Sequence, residues 1–357
     1  NNVICRFPSF RYKLKRGLFW YYFKFIDGIP PIQDDFNNPM LRINFKDNND
    51  FMFRVRCFGK RISVEYFHAL TDGTGGITFL LTLTGEYLRL KKNIDIKYND
   101  FVLNPNDNVK KNDYSDNFYK YARNINYVEK EKNAYHYKGT KIDKNHLNII
   151  TGIVSINQVK EICKKYNCTI TEFIVSVMID SIQEIQEREK RKKKKPIKIS
   201  VPVNLRKYYP TKTMRNFSSY VNVGIETILG HHSFDEIINE IKGEMIILNT
   251  EKKLNSKISG NVKLEKNIFV RLIPLFIKKY IISIVENLIG DKYFSSTFSN
   301  LGLINVPDNM KKYINELGFI LGKSRNNNGA CACVGVNACL FAAHDACKSN
   351  SFTAACD

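Results

Sequence analysis

Residues 60–81, KRISVEYFHALTDGTGGITFLL, contain a strand pattern, a glycine-rich turn and the start of a helix pattern. Apolar and polar residues alternate up to His68, which predicts a strand that ends at this histidine. Apolar residues at helical spacing then predict a helix over residues 77–90. Asp72 and Gly73 lie in the turn between the two elements. Strands and helices recur along the chain without a regular βαβ alternation, which favours a two-layer α/β sandwich over a Rossmann fold.

An imidazole at the end of a strand is a natural general base near neutral pH, and His68 is therefore the leading catalytic candidate. Asp72 either orients this histidine or pairs with a buried cation and fixes the turn. Gly73 permits a tight backbone there. The alternative is a histidine at a strand end followed by an ordinary Asp-Gly turn.

A second motif is VPVNLR, residues 201–206, at the end of a predicted strand. An arginine directly after a buried strand is costly unless it finds an anionic partner, and Asp72 is the candidate partner of Arg206. The alternative is an exposed arginine. A third motif, Ser299-Asn300-Leu301-Gly302, offers small polar groups that can donate to a developing oxyanion, although it is also a common loop sequence.

Taken together, HALTDG, VPVNLR, the TMRNF stretch that contains Asn216, and SNLG resemble the chloramphenicol-acetyltransferase-like superfamily with its HxxxDG signature. They are most similar to its bacterial alcohol acetyltransferase-like branch and follow the family order from Phe7 to about Cys333. The resemblance implies an α/β (α+β) fold with two lobes, mixed sheets and a channel between the lobes.

The resemblance also implies roles for individual residues. His68 would deprotonate an alcohol or amine acceptor for attack on an acyl thioester. Both substrates would be bound together in a ternary complex, and no acyl-enzyme would form. Asp72 would pair with Arg206, and Gly73 would be the turn glycine. The candidates for contacting the oxyanion or lining the channel are Asn216, Ser299 and Asn300. The family uses no metal and no permanently bound cofactor, and acyl-CoA, with acetyl as the expected group, is a co-substrate.

Two alternative functions remain open at this point. A condensation-type catalyst would take its acyl group from a carrier-protein thioester, but Phe67 stands where condensation domains usually carry a second histidine. A catalytically degenerate member of the fold would only bind or act as a scaffold. The DFGWG motif of plant acyltransferases is absent.

The sequence pattern predicts an N-terminal lobe over residues 1–103, a polar connector over 104–147 and a C-terminal lobe over 148–357. An aromatic stretch, residues 17–25, predicts a strand. In the second lobe, Thr169 and Glu172 predict a capped helix, as do Ser233 and Glu236. The apolar face expected on the first of these helices is Ile174, Val177, Met178, Ser181, Ile182 and Ile185. The chain does not begin with Met and is expected to lack the start of the lobe, and its tail is unusually rich in Cys and Ala.

The charge balance is strongly basic, with 55 Lys and Arg against 35 Asp and Glu and a net charge of +20. Such an excess attracts anions in general. We expect Lys207, Lys212 and Arg215 to contact coenzyme A phosphates, and an evenly basic surface is the alternative. The basic run at residues 190–196 contains no aromatic residue, so a solvated loop is expected there and not a nucleic-acid site.

The sequence contains no run of 18 uncharged apolar residues and no signal peptide at its start. Residues 269–290 are amphipathic, so packing across the lobe is expected, with peripheral membrane contact as the alternative. The nine cysteines do not form a disulfide framework, which favours a reduced, cytoplasmic setting. The spacing in the tail fits no zinc pattern, and no metal is expected at Cys331, Cys333, Cys339, His344 and Cys347.

Overall fold

The computed structural model describes residues 1–35, 43–125, 130–138, 148–189, 194–322, 329–337, 339–345 and 350–356. Residues 126–129 and 139–147 of the predicted connector, the basic residues 190–193 and Cys347 lie outside the described residues. None of the helices in these ranges combines the length and the apolarity that crossing a bilayer requires.

Strands and helices are mixed along the chain, as the sequence predicts. The strands are β1 (Tyr12–Arg16), β2 (Tyr21–Phe25), β3 (Ile32–Asp34), β4 (Phe53–Phe58), β5 (Arg61–Tyr66), β6 (Ile150–Ser155), β7 (Ile197–Asn204), β8 (Ser218–Ile225), β9 (Ser296–Leu303), β10 (Ile314–Ile320), β11 (Ala330–Val336), β12 (Cys339–Asp345) and β13 (Asn350–Cys356). The helices are α1 (Asn2–Arg6), α2 (Gly73–Lys92), α3 (Phe118–Tyr121), α4 (Ile156–Lys165), α5 (Ile170–Arg188), α6 (Phe234–Leu248), α7 (Glu251–Lys266), α8 (Ile268–Leu272), α9 (Leu275–Ile289) and α10 (Asp308–Lys311).

Two mixed sheets form the framework. The first has the strand order β10-β13-β5-β4-β3, and the second has the order β6-β12-β11-β9-β7-β8. Most neighbours are antiparallel, but β3 and β4 pair in parallel, as do β9 and β11 and also β7 and β9. Strands β1 and β2 form a separate antiparallel hairpin. This is the mixed two-lobed architecture that the motifs imply.

Each sheet has its own hydrophobic core. The first core contains a cluster of aromatic rings beneath α2, in which Phe10 and Phe79 stack with their centroids 4.3 Å apart. Phe53 from β4 packs edge-on against both rings. The second core contains Val175 and Ile179 of α5, packed with the apolar residues of β7 and β8.

The C-terminal third of the chain contributes to both sheets. Strands β10 and β13 belong to the first sheet, although the predicted domain limits place them in the second lobe. Val334 of β11 is buried in the first core, and its neighbour Cys333 is buried in the second. Alternate residues of β11 therefore serve the two cores, since successive side chains of a strand point to opposite faces.

Three predicted elements differ from the structure. The strand expected over residues 17–25 begins only at Tyr21, because the preceding residues form the turn of the hairpin, where Gly17 N donates to Trp20 O. The helix expected from residue 77 begins at Gly73, because Asp72 caps it. The amphipathic stretch 269–290 is two helices, α8 and α9, separated at Pro274.

The predicted apolar face of α5 is confirmed in part: Ile182 is buried, and Ile174 and Met178 pack partly buried against the second core. Val177, Ser181 and Ile185 are exposed. The buried residues of this helix are Val175, Ser176, Ile179, Ile182, Gln183 and Gln186. The two glutamines turn inward because they hold loop backbones: Gln183 Nε2 donates to His232 O at 2.9 Å, and Gln186 Nε2 donates to Lys195 O at 2.9 Å. Both predicted capping boxes, at Thr169 and Ser233, are confirmed.

Candidate active site

His68 lies just beyond the end of β5, and its residue is exposed. The sheet pairing of β5 stops at Tyr66, after which Phe67 N donates to Met52 O and Leu70 N donates to Phe67 O. These bonds form a tight turn, and the buried Leu70 anchors it. The imidazole is thus held at the edge of the sheet, accessible to solutes, as the strand-turn-helix pattern predicts.

Asp72 closes this turn as the N-cap of α2. Its Oδ1 accepts a hydrogen bond from Gly75 N at 3.2 Å. The Tyr66 hydroxyl donates to the Asp72 carbonyl at 3.1 Å, which ties the turn to the last residue of β5. No hydrogen bond among the described residues joins Asp72 to His68. Asp72 therefore orders the turn and leaves the imidazole free.

Arg206 supplies the cation that Asp72 needs. Its Nη1 donates to Asp72 Oδ2 at 2.7 Å, and both side chains are nearly buried. The remaining guanidinium donors bind backbone carbonyls: Nε binds Thr213 O at 2.9 Å and Nη2 binds Arg215 O at 2.7 Å. This arrangement uses the fixed fork of the guanidinium, which a lysine does not have. The ion pair expected between the two motifs is present.

Asn216 is held directly beside His68. The carbonyl of Arg215 before it is bound by Arg206, and Phe217 N after it donates to Asp72 Oδ2 at 2.9 Å. Between these two anchors, the Asn216 amide lies 3.2 Å from His68 Nδ1. The Ser218 hydroxyl donates to the Asn216 amide oxygen at 3.0 Å. A hydroxyl can donate or accept, so the Asn216 amide can serve either tautomer of the imidazole.

Two glycines of the turn have different roles. A Cβ at Gly75 would overlap the Met214 carbonyl and the Thr71 hydroxyl, which itself donates to Met214 O at 2.6 Å. Gly73, the residue that the sequence singles out, is the first residue of α2, and a Cβ there would meet only the end of the Leu301 side chain at 2.6 Å. The close backbone approach therefore falls at Gly75.

Ser299 and Asn300 lie on β9, whose end reaches the turn through Leu301. Ser299 is buried. The Asn300 side chain donates to Thr171 Oγ1 at 3.1 Å and accepts from Gly302 N at 2.7 Å. Asn300 is thus engaged at the start of α5, and no hydrogen bond of the described residues brings it to His68.

A cavity of about 120 Å³ lies next to the histidine turn. Its walls include Ala69 and Leu70 from the turn, Arg215, and residues from the N-terminal segment and the hairpin, namely Ser9, Tyr12 and Phe23. The Ser9 hydroxyl is buried and has no hydrogen-bond partner within the part of the chain that the structure describes. A second cavity of similar volume, lined by Lys130, Lys198, Asn222 and Glu244, includes no residue of the histidine turn.

The three predicted phosphate contacts are close in sequence but differ in surroundings. Lys207 and Lys212 are exposed. Arg215 is half-buried, with its guanidinium 5.8 Å from the Phe23 ring and 3.8 Å from Asp116. Arg215 therefore belongs to the cavity wall, and the two lysines lie on the outer surface of the same loop.

The described residues contain no group of three His, Cys, Asp or Glu that is placed to hold a metal ion. Burial raises the pKa of Cys163 and of Cys331 to about 11, and it also raises the pKa of Cys57. These thiols stay protonated near neutral pH, so none of the three is a ready nucleophile.

Sequence reasoning missed several residues of this site. Asn204 bonds both Thr74 Oγ1 and the Arg206 backbone N–H, and so joins the two motifs. Its position inside VPVNLR, at the end of a buried strand, was the signal available. Tyr12 and Phe23 gave no such signal, because only the fold brings the hairpin to the histidine turn.

Comparisons with known proteins agree with this architecture. A family model described as alcohol acetyltransferase matches residues 115–336, which include Arg206, Asn216 and Ser299 but not His68. No protein of curated function matches the chain in sequence.

Three solved structures have a similar fold. Polyketide synthase associated protein 5 from Mycobacterium tuberculosis has a TM-score of 0.58 at 12% identity, with 97% of this chain and 82% of that chain covered. The first condensation domain of the calcium-dependent antibiotic synthetase has a TM-score of 0.54 at 9% identity, with 96% and 80% covered. The starter condensation domain of rhizomide synthetase, solved with C8-CoA, has a TM-score of 0.50 at 9% identity, with 96% and 78% covered.

Proposed function

Because this chain belongs to the alcohol acetyltransferase family, we propose that it transfers an acyl group, with acetyl as the expected group, from acyl-CoA to the hydroxyl or amine of a small acceptor. His68 is the general base in this proposal, and both substrates bind before chemistry begins. Acyl transfer itself follows from the family. The donor, the acceptor and the role of His68 belong to the proposal.

The observation that carries the proposal is that His68 and Asp72 differ in their exposure and in their hydrogen bonds. The carboxylate is fully occupied by Arg206, Gly75 and Phe217, whereas the imidazole is exposed and contacts Asn216. A base must reach the proton that it removes, and His68 is the group at this turn that can do so. A degenerate scaffold would not need an accessible imidazole at this position.

In the proposed reaction, His68 Nε2 takes the proton of the acceptor hydroxyl or amine while the acceptor atom attacks the thioester carbonyl. The tetrahedral intermediate then collapses, the carbon–sulfur bond breaks, and the coenzyme A sulfur leaves with the proton held by His68. For Nε2 to accept a proton, Nδ1 must carry one. In the structure the Asn216 amide nitrogen faces Nδ1 and the amide oxygen accepts from the Ser218 hydroxyl. A half-turn of the amide would let its oxygen accept the Nδ1–H while its nitrogen donates to Ser218. Ser299 remains the candidate oxyanion contact.

The cavity beside the turn is the candidate site for the acyl group. Tyr12, Phe23 and Leu70 give it partly apolar walls, and an acyl group bound there would lie beside the turn that carries His68. Arg215 at its wall, with Lys207 and Lys212 outside, would attract the phosphates of coenzyme A. The rhizomide synthetase domain, which shares the fold, was solved with an acyl-CoA, and this is consistent with the proposed donor.

The test is release of free thiol from purified protein supplied with acetyl-CoA and a panel of small alcohols and amines. We expect thiol release that depends on the acceptor, and slower release with octanoyl-CoA. Phe23→Ala should widen the cavity and reduce the difference in the rate of thiol release between acetyl-CoA and octanoyl-CoA. Consumption of a carrier-protein thioester but not of acyl-CoA would favour the condensation-type alternative. No thiol release from either donor would overturn the proposal.

A further inference from the structure

A large apolar surface is formed by two segments far apart in sequence, the β1–β2 hairpin and the helix pair α8–α9. Leu18 of the hairpin is 69% exposed, and Phe269 and Tyr280 of the helices are 78% and 71% exposed. We call this surface the docking face and define it by Leu18, Trp20, Phe269, Leu272, Phe276 and Tyr280. Contiguous exposed apolar area of this kind marks an interaction site in most proteins.

The two segments are joined into one surface by α9. Leu275 N donates to Leu18 O at 2.8 Å. The Lys278 ammonium donates to Phe19 O at 3.1 Å and to Arg271 O at 3.2 Å, and it lies 3.5 Å from the centre of the Trp20 ring. The hairpin tip and α9 are therefore held together by a buried lysine.

Apart from Leu275, the apolar residues of α9 between positions 275 and 286 are exposed. Leu275 and Lys278 are buried and attach the helix. Phe276, Tyr280 and Ile284 are exposed, and their spacing of four residues places them on one stripe of the helix. At about 100° per residue, this stripe lies opposite the two attached residues. The outward face of α9 thus has no partner among the described residues.

Positive charge predominates along the two segments that form this surface, and Glu286 is the acidic residue of α9. Residues 12–25 contain four Lys or Arg and no acidic residue, and residues 268–285 contain three and none. Lys15, Arg16 and Lys24 of the hairpin are exposed, as are Arg271 and Lys279 of the helices. A second copy of the chain is disfavoured as the partner, because a symmetric contact would bring like charges together.

We propose that the docking face binds the surface of an anionic lipid bilayer. Apolar and aromatic side chains on a helix lying in the interface, flanked by Lys and Arg, are the features that such binding needs. The basic residues add attraction to acidic headgroups. This inference goes beyond acyl transfer and does not depend on it. Tyr12 and Phe23 of the same hairpin line the cavity at the histidine turn, so the face and the candidate active site share one element.

Trp20 allows a direct test, because it is the single tryptophan of the chain and lies in the docking face. Full-length protein is mixed with vesicles of phosphatidylcholine containing about one fifth phosphatidylserine. We expect a blue shift of the tryptophan emission, protection from acrylamide quenching and co-sedimentation with the vesicles. The binding should be weaker with pure phosphatidylcholine and should fall as salt is added.

The double variant Phe276→Asp/Tyr280→Asp should lower the partition coefficient by about tenfold or more, since both side chains would insert. The matched control is Ile228→Asp/Leu229→Asp, two apolar residues that are 74% and 81% exposed outside the docking face. If the first variant unfolds, Arg271→Glu/Lys279→Glu tests the electrostatic part instead, with an expected loss of vesicle binding at low salt.

Three results would overturn the inference: no change in Trp20 emission with anionic vesicles, equal binding by the docking-face and control variants, or a dimer in light scattering that Phe276→Asp/Tyr280→Asp dissociates. The last result would show that a second copy covers the face. All of these readouts are independent of enzymatic activity. A protein that releases no thiol can therefore still confirm membrane binding, and the reverse also holds.

Discussion

Arg206 Nη1 lies 2.7 Å from Asp72 Oδ2, although the two residues are separated by 134 positions in the sequence. The bond joins the end of β7 to the turn that follows β5, and so connects the two sheets at the histidine. Because the same arginine also binds the carbonyls of Thr213 and Arg215, one side chain sets the position of Asn216 beside His68.

Breaking this ion pair should destabilise the protein. Arg206→Ala leaves the Asp72 carboxylate buried without its cation, which costs about 3–5 kcal/mol in the free energy of unfolding. Urea denaturation measures the loss, and Lys207→Ala, at an exposed neighbour, is the control. The double variant Asp72→Asn/Arg206→Ala should lose less than the sum of the single changes. Additive losses would mean that the two side chains do not depend on each other.

His68→Ala should lower the rate of acyl transfer by about 10²–10⁴ through loss of the general base. The thermal midpoint should stay unchanged, because the residue is exposed. His231→Ala, at a second exposed histidine paired with Glu187, is the control and should retain full activity. A His68→Ala rate above one tenth of the wild-type rate would exclude His68 as the base.

Asn216→Asp should move the acid limb of the kcat/KM profile to higher pH. A carboxylate beside Nδ1 favours the charged imidazolium, and a general base must be unprotonated to act. The active fraction at a given low pH therefore falls. Ser218→Ala, which removes the other contact of the amide, should move the limb much less. An unchanged profile in Asn216→Asp would show that the amide does not act through His68.

Gly75→Ala and Gly73→Ala form a matched pair on the first turn of α2. Both changes gain helix propensity over glycine. Gly75→Ala forces a Cβ against the Met214 carbonyl, so we expect a loss of about 1–3 kcal/mol, in the range of overpacking. Gly73→Ala meets the movable end of Leu301 and should cost less. Thermal melts of the two proteins show which variant loses more stability. A larger loss in Gly73→Ala would contradict the close approach at Gly75.

Lys207→Glu/Lys212→Glu should raise the Michaelis constant for acyl-CoA by roughly several-fold at low salt and leave that for the acceptor nearly unchanged. Both lysines are exposed, so stability should not change. Lys252→Glu, an exposed lysine on α7, is the control. Equal effects on both substrates would assign the two lysines to the general basic surface.

The motifs of the site were predictable because each carries a local signal. A histidine at a strand end, a carboxylate in the following turn and an arginine after a buried strand can be recognised without the fold. The pairing of Asp72 with Arg206 could be predicted from one argument, namely that a buried arginine requires an anionic partner. Asn216 was named as a candidate from its place in TMRNF, but its contact with His68 depends on the anchors on either side of it.

Other features lay beyond sequence reasoning. The buried face of α5 was partly misplaced, because hydrophobicity favours Val177 and Ile185, whereas Gln183 and Gln186 turn inward to hold loop carbonyls. Likewise, the strand pattern of residues 17–25 could not show that Phe23 lines a cavity with Arg215. Both facts depend on contacts between segments that are far apart in the sequence, and no local pattern predicts such contacts.

The strand order of the first sheet has a consequence for synthesis. Strand β13 lies between β10 and β5, with Asn350 opposite Tyr66, so both neighbours expose an unpaired edge until β13 has been synthesised. Open edges recruit other chains. The nascent first sheet must therefore be shielded until β13 has been synthesised, and its strand order is completed in one late step of long sequence separation.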